Sequence, residues 1–129
     1  MASQTVLPDW SITEEKVAEA LERILASSAP VRIVAFGSRA RGDFQPDSDL
    51  DLAVILDSPA SETKPRLTSA VLRGISASID LLVTDTERHN KFSPWLNSVH
   101  YDIENEGVVL YDRDHDKSPD RSAIRNLVE

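Results

Sequence analysis

Residues 49–56, Asp-Leu-Asp-Leu-Ala-Val-Ile-Leu, alternate with the two-residue period of a β-strand. Leu50, Leu52, Val54 and Leu56 share one face, and Asp49, Asp51, Ala53 and Ile55 share the other. Such a strand carries two acids at its start. Around it the chain reads as strands alternating with helices. Ser11-Ile12-Thr13-Glu14 reads as a capping box, and Val17, Leu21, Ile24 and Leu25 then recur at helical spacing to about residue 28. Val31-Arg32-Ile33-Val34-Ala35-Phe36 is short, β-branched and ends on Gly37, as a buried strand feeding a tight turn does. Residues 58–65 form a polar connection, 66–74 a short helix and 78–84 a third strand with Asp80 near its beginning. Pro94 fits the first turn of a helix reaching about Glu106, and Gly107-Val108-Val109-Leu110-Tyr111 reads as a last, short strand. Strands alternating with helices define an α+β chain, an α/β-type sandwich whose mixed β-sheet is flanked by helices.

At 129 residues and 14.3 kDa there is material for one hydrophobic core and not for two. The expected organisation is a single domain over residues 1–111 followed by a polar C-terminal tail, residues 112–129, whose charged segment 112–121 reads as a mobile exit. The absence of cysteine excludes a disulfide framework and thiolate zinc sites. Residues 1–10 lack the basic start and apolar stretch of a signal peptide, and no apolar run approaches the ~20 residues that span a bilayer. A cytoplasmic protein without membrane association is expected. A net charge of -8 and a pI near 4.8 argue against a broad nucleic-acid-binding face, because phosphate contacts need clustered Lys and Arg. DNA is not an expected partner.

The chemistry concentrates between Phe36 and Asp80. Residues two apart on a strand point the same way and lie roughly 6.6 Å apart, so Asp49 and Asp51 lean over one small volume. If the strand carrying Asp80 lies beside them, at about 4.8 Å, a third carboxylate enters that volume. Three acids so close repel at reduced dielectric, which calls for divalent cations or raised carboxyl pKa values. Hard oxygen ligands select Mg2+ or Mn2+. Two such ions about 3.5 to 4 Å apart hold an α-phosphate, steady a leaving pyrophosphate and activate an acceptor hydroxyl.

Gly37-Ser38-Arg39-Ala40-Arg41-Gly42 supplies the complementary half. Glycine lets the backbone approach a phosphate, and a turn into a helical segment points free amides at it. Ser38 can donate its hydroxyl to a terminal phosphate, and Arg39 and Arg41 are a local positive pair, of which only one need face the ligand. Other motifs fail on the same stretch. Gly37 and Gly42 have the glycine spacing of a P-loop, but Asp43 and Phe44 stand where Lys and Ser or Thr are required. Asp47, Asp49 and Asp51 mimic the opening of an EF-hand, yet Leu52 replaces the turn glycine and Ser58 the closing glutamate. Arg41-Gly42-Asp43 as an adhesion tripeptide is discarded in a cysteine-free chain of this kind.

The segment from Gly37 to Leu52, with Gly-Ser followed after ten residues by Asp-x-Asp, resembles the signature of the DNA polymerase beta superfamily of nucleotidyltransferases. The small size and the Gly-Val-Val-Leu-Tyr ending resemble its minimal, stand-alone group, MNT. The resemblance covers roughly residues 17–111. It implies the polymerase beta-like nucleotidyltransferase fold, metal binding by Asp49 and Asp51, a third acid in Asp80 acting on the acceptor side, and a triphosphate held by Gly37 and Ser38. It also implies ATP as donor, two Mg2+ ions, and a HEPN-domain toxin partner on whose tyrosine AMP is placed, with the MNT chain acting as antitoxin in a hetero-oligomer.

Other residues read as ordinary structure. His89, His100 and His115 show no ligand spacing and read as surface or helix positions, Trp10, Trp95 and Tyr101 as packing or interface residues, and Asp102, Glu104 and Glu106 as solvated helix positions. Two functions stay open on the residues alone. One is an enzyme acting on a protein or, as aminoglycoside nucleotidyltransferases do, on a small molecule. The other is a non-catalytic binding module that neutralises its partner sterically. A small chain has little wall around its pocket, which favours a protein acceptor and some exposed apolar surface.

Overall fold

The computed structural model describes residues 9–57, 69–115 and 118–128. In chain order the elements are α1 (Glu14–Ser27), β1 (Pro30–Phe36), α2 (Ser38–Arg41), β2 (Leu50–Leu56), a 3-10 turn (Ser69–Leu72), β3 (Ile79–Asp85), α3 (Thr86–Phe92), α4 (Val99–Glu106), β4 (Val108–Asp112) and α5 (Arg121–Val128). The four strands form one mixed sheet in the order β3-β2-β1-β4, with β2 and β3 parallel and β1 antiparallel to both β2 and β4. This is the expected α+β architecture. The expected connection over 58–65 and the first three residues of the helix expected over 66–74 lie outside the described residues, and over 69–74 the expected helix is corrected to the 3-10 turn Ser69–Leu72.

The alternation in β2 divides the core. Leu50, Leu52, Val54 and Leu56 pack with Val17, Leu21 and Ile24 of α1 and with Ile124 and Leu127 of α5. Ala53 and Ile55, on the other face, pack with Val34 of β1 and Ile103 of α4. The sheet is thus covered on both sides. Each fully buried aliphatic side chain contributes about 1.5 to 3 kcal/mol, so β2 is anchored along its length while its first residues stay free for chemistry.

Helix α1 starts later than the capping box at Ser11 predicts. Thr13 is the N-cap, its hydroxyl accepting from the Lys16 amide at 3.2 Å, and Lys16 stands where the box requires Glu or Gln. The Lys16 ammonium instead donates to the carbonyls of Asp9, Ser11 and Ser76, at 2.9 Å to Ser11 and 2.7 Å to Ser76. The helix expected from Pro94 also begins later, at Val99. Asn97 adopts a φ of 78°, and Ser98 both caps α4 through the Tyr101 amide and donates to the Phe92 carbonyl. Trp95 and Leu96 consequently stand in solvent, 66% and 70% exposed. Helix α3 is an addition to the sequence reading; its N-cap is Asp85, which accepts from the Arg88 amide at 2.7 Å.

The expected polar tail over residues 112–129 is corrected by α5. Ile124 and Leu127 lie three apart, on one helical face, and are 0% and 1% exposed against α1. Glu14 of α1 accepts from Arg121 at 2.6 Å and Arg125 at 2.9 Å, so charge and apolar surface seat α5 together. The core therefore extends past residue 111. Among the described residues no helix is long and apolar enough to cross a membrane.

Candidate active site

The parallel register sets Asp51 opposite Asp80, one step beyond the pair Leu50 and Ile79. Directly opposed residues on neighbouring strands present their side chains to the same face, about 4.8 Å apart. Two carboxylates are thereby placed side by side. On its other flank Asp51 pairs with Phe36, the last residue of β1, and the chain turns at Gly37 immediately beyond. A β-carbon on Gly37 would lie 2.5 Å from Asp51 Oδ2, and the glycine has a φ of 79°. Only a glycine meets both conditions without displacing the acid.

Gly37 is the N-cap of α2, a single helical turn. The Arg41 amide reaches back to the Gly37 carbonyl at 3.1 Å. The amides before it, from Ser38 onward, fall in the first helical turn, where no intrahelical acceptor exists. At the other end the Ser38 carbonyl accepts from the amides of Gly42 and Asp43, and Gly42 closes the turn with a φ of 87°. The two glycines at the ends of the motif thus build a compact turn whose open end adjoins Asp51.

Asp49 stands just before β2 and is exposed. Ser78, which precedes β3, donates its hydroxyl to Asp49 Oδ1 at 2.5 Å, and the Ser78 carbonyl accepts from the Leu50 amide at 3.0 Å. One residue thus fixes both the carboxylate and the backbone after it. Asp80 is exposed and open to an incoming group. Burial pushes the Asp51 carboxyl above its ordinary range, and the negative charges of Asp80 and Asp49 push it further. The three acids therefore share one electrostatic field, although among the described residues no three acidic or histidine side chains converge on a single point. A surplus of negative charge presented by hard oxygen donors fits Mg2+ or Mn2+.

The two arginines lie in different settings, Arg39 buried and Arg41 exposed. Arg39 is 3% exposed and turned into the protein. Its Nε donates to the Ser48 carbonyl at 3.0 Å, one terminal nitrogen to the Leu127 carbonyl at 2.9 Å and the other to the Pro46 carbonyl at 3.3 Å. Its guanidinium also lies 4.5 Å from the centre of the Phe44 ring. Three of its five N–H donors are thus committed to backbone carbonyls, and the guanidinium lies against an aromatic face. Arg41 is exposed and paired with Asp43 at 3.3 Å and Glu106 at 3.5 Å, so Glu106 is engaged as well as solvated.

Sequence reasoning also missed a buried pair. His89 and His100 are 1% and 6% exposed, with their Nδ1 atoms 3.2 Å apart, and His89 Nε2 lies 3.0 Å from Glu104. The signal present was weak: His89 and His100, eleven residues apart, belong to two short helices, and their contact is one that spacing along the chain does not show.

A mixed sheet bearing a glycine-bounded anion turn at the end of β1 and acids at the start of β2 and β3 defines a nucleotidyltransferase class of site. The nucleotidyltransferase domain family matches residues 14–110. A protein of Methanocaldococcus jannaschii named "Putative protein adenylyltransferase" is 34% identical over 80 residues, a span that covers 62% of this chain and 77% of that protein. The crystal structure of a "putative nucleotidyltransferase" from Sulfolobus solfataricus shares the fold, with a TM-score of 0.52 at 19% identity over 79% of this chain and 82% of its own. The chain belongs to the nucleotidyltransferase domain family.

Proposed function

We propose that this nucleotidyltransferase moves AMP from ATP onto a hydroxyl of a protein, a tyrosine of a HEPN-domain toxin, and so acts as the antitoxin of a cytoplasmic pair. The observation that carries the reading is the placement of Asp51 between Asp80 and the Gly37 turn, which sets acids beside an anion cradle. The name of the archaeal relative supports a protein acceptor. The HEPN partner follows from the resemblance of the motif, size and chain ending to the MNT group.

In this reading the turn amides and the Ser38 hydroxyl hold the triphosphate. Asp49, Asp51 and Asp80 would hold two Mg2+ ions, which supply Lewis-acid stabilisation of the charge that develops on phosphate oxygens. Asp80, exposed on the outer strand, receives the proton of the acceptor hydroxyl. A bond forms from that oxygen to the α-phosphorus, and the bond to the β-phosphate oxygen breaks, releasing pyrophosphate. The donor half is written in this chain and the acceptor is set by the partner surface.

The test is incubation of the protein with Mg2+, labelled ATP and the product of its neighbouring gene, the proposed HEPN-domain partner, followed by mass spectrometry for AMP on tyrosine. Transfer by the wild type and none by Asp49→Ala/Asp51→Ala is expected. Absence of transfer, with wild type and double variant protecting cells equally, would establish a steric binding module in its place.

A further inference from the structure

Arg39 joins the phosphate turn, the aspartate approach and the C-terminal helix. It belongs to α2 and is covalently adjacent to Ser38. Its guanidinium donates to Ser48, the residue before Asp49, and to Pro46 two residues earlier. A third donor reaches Leu127 of α5, 88 residues away in sequence. The 45–48 turn is itself closed by reciprocal bonds, Gln45 amide to Ser48 hydroxyl at 2.8 Å and Ser48 amide to Gln45 carbonyl at 2.9 Å. A force on Ser48 is therefore transmitted to Asp49 through a segment with little freedom of its own.

The charge is also matched to its setting. Burial weakens the hold of the Arg39 guanidinium on its proton, and the nearby Asp49 carboxylate strengthens it. The planar fork satisfies three carbonyls at once, a geometry that a lysine ammonium on a flexible stem does not reproduce. On one flank Arg39 borders a cavity of about 430 Å³ together with Ile12, Phe44 and Val128, so little packing holds it in place there. Hydrogen bonds and the Phe44 ring do so instead.

We infer that Arg39 is a positioning residue that fixes the spacing between the Gly37-Ser38 turn and Asp49, using the C-terminal helix as its third anchor. The inference rests on the donor-site reading above for what the two segments do. Loosening the spacing leaves each half able to bind its part of the nucleotide but lets them drift out of register at the reacting phosphorus, where a displacement near 1 Å costs on the order of a hundredfold.

The test uses Arg39→Lys and Arg39→Met, with amide hydrogen exchange as the first readout. Both variants are expected to exchange at least about tenfold faster at the hydrogen-bonded amides of Arg41, Gly42 and Asp43 and at those of Gln45 and Ser48 together, while the β1 and β2 core amides exchange as in the wild type. Uniform acceleration throughout the chain, or a change in only one of the two segments, would overturn the coupling. Transfer kinetics give the second readout: kcat is expected to fall at least about tenfold with the KM for ATP changed less than about threefold in both variants. Full kcat in Arg39→Lys would overturn the inference. Failure of the wild type to transfer AMP would instead refute the donor-site reading, and the exchange result stands apart from that outcome.

Discussion

The Asp51 carboxylate occupies the space that a side chain on Gly37 would need, 2.5 Å separating Oδ2 from the position of a β-carbon there. The anion turn and the acids are thus one constructed site, since a side chain at position 37 would displace Asp51. Gly37→Ala adds that β-carbon at a φ of 79°, where an L-residue is strained by roughly 1 to 3 kcal/mol. The variant is expected to fold with a lowered Tm and to lose transfer activity on the order of a hundredfold, because Asp51 is pushed aside. Steady-state kinetics beside a thermal melt separate the two effects.

Removing the charge at Asp51 should stabilise the protein while abolishing its chemistry. Its folded pKa is raised by burial and by Asp80 and Asp49, so ionisation costs more in the folded than in the unfolded state. The related stability is present below the unfolded carboxyl pKa, about 3.9, and is lost as pH rises through the folded value. Asp51→Asn is therefore expected to raise the Tm by a few degrees at neutral pH without metal, with the gain shrinking toward acid. Millimolar Mg2+ should raise the Tm of the wild type and leave that of Asp51→Asn nearly unchanged, as read by differential scanning fluorimetry.

Helix α5 is held mainly by its apolar face. Ile124 is fully buried, so Ile124→Ala is expected to cost about 2 to 5 kcal/mol in urea titration. Glu14→Gln acts through charge instead. Hydrogen bonding from Arg121 leads the causes that hold the Glu14 carboxyl below its ordinary range. The stability it contributes is present above the unfolded pKa and is lost as pH falls through the folded one. The variant should melt slightly below the wild type at neutral pH and match it in acid, and the exposed setting keeps the difference small.

Buried histidines add a second pH dependence. Burial lowers the His100 pKa, assisted by the charges of His89 and Arg88 and opposed by Asp85. The unfolded chain takes up a proton near pH 6.5 that folded His100 resists, so stability present above that value is lost as pH falls through it. The wild-type Tm is expected to drop between about pH 7 and about pH 5, and His100→Asn should flatten the drop. Melts across that range in matched ionic strength check it.

The strand faces and the glycine turn are local matters, and local pattern carries them. Two-residue alternation from Leu50 to Leu56 already sorts the side chains that pack against α1 from those that pack against Ile103. The register of Asp51 with Asp80 depends on where a long crossover returns, and only the position of Asp80 near a later strand hinted at it. Arg39 reads as a cation for phosphate because its partners Ser48 and Leu127 offer backbone carbonyls, which every residue has. Ser78 has no motif around it, and its bond to Asp49 exists through the same β2 and β3 pairing. Helix α3 escapes notice because His89 fills a core-facing position, which a hydrophobicity pattern scores as polar. Helix α5 hides behind the charged residues 112–121, although Ile124 and Leu127 are spaced to share a face.

In the proposed function the Gly37 turn and the acids at the start of β2 and β3 act as one nucleotidyl-transfer site. The most direct measurement of that joint action is pyrophosphate released from ATP by the protein with its protein acceptor, with and without Mg2+, for the wild type and Asp51→Asn. Release that requires the metal and the acceptor, and that falls by at least about a thousandfold in Asp51→Asn, is the predicted result. Release that is equal in the two proteins, or that proceeds unchanged after chelation of the metal, would contradict the account.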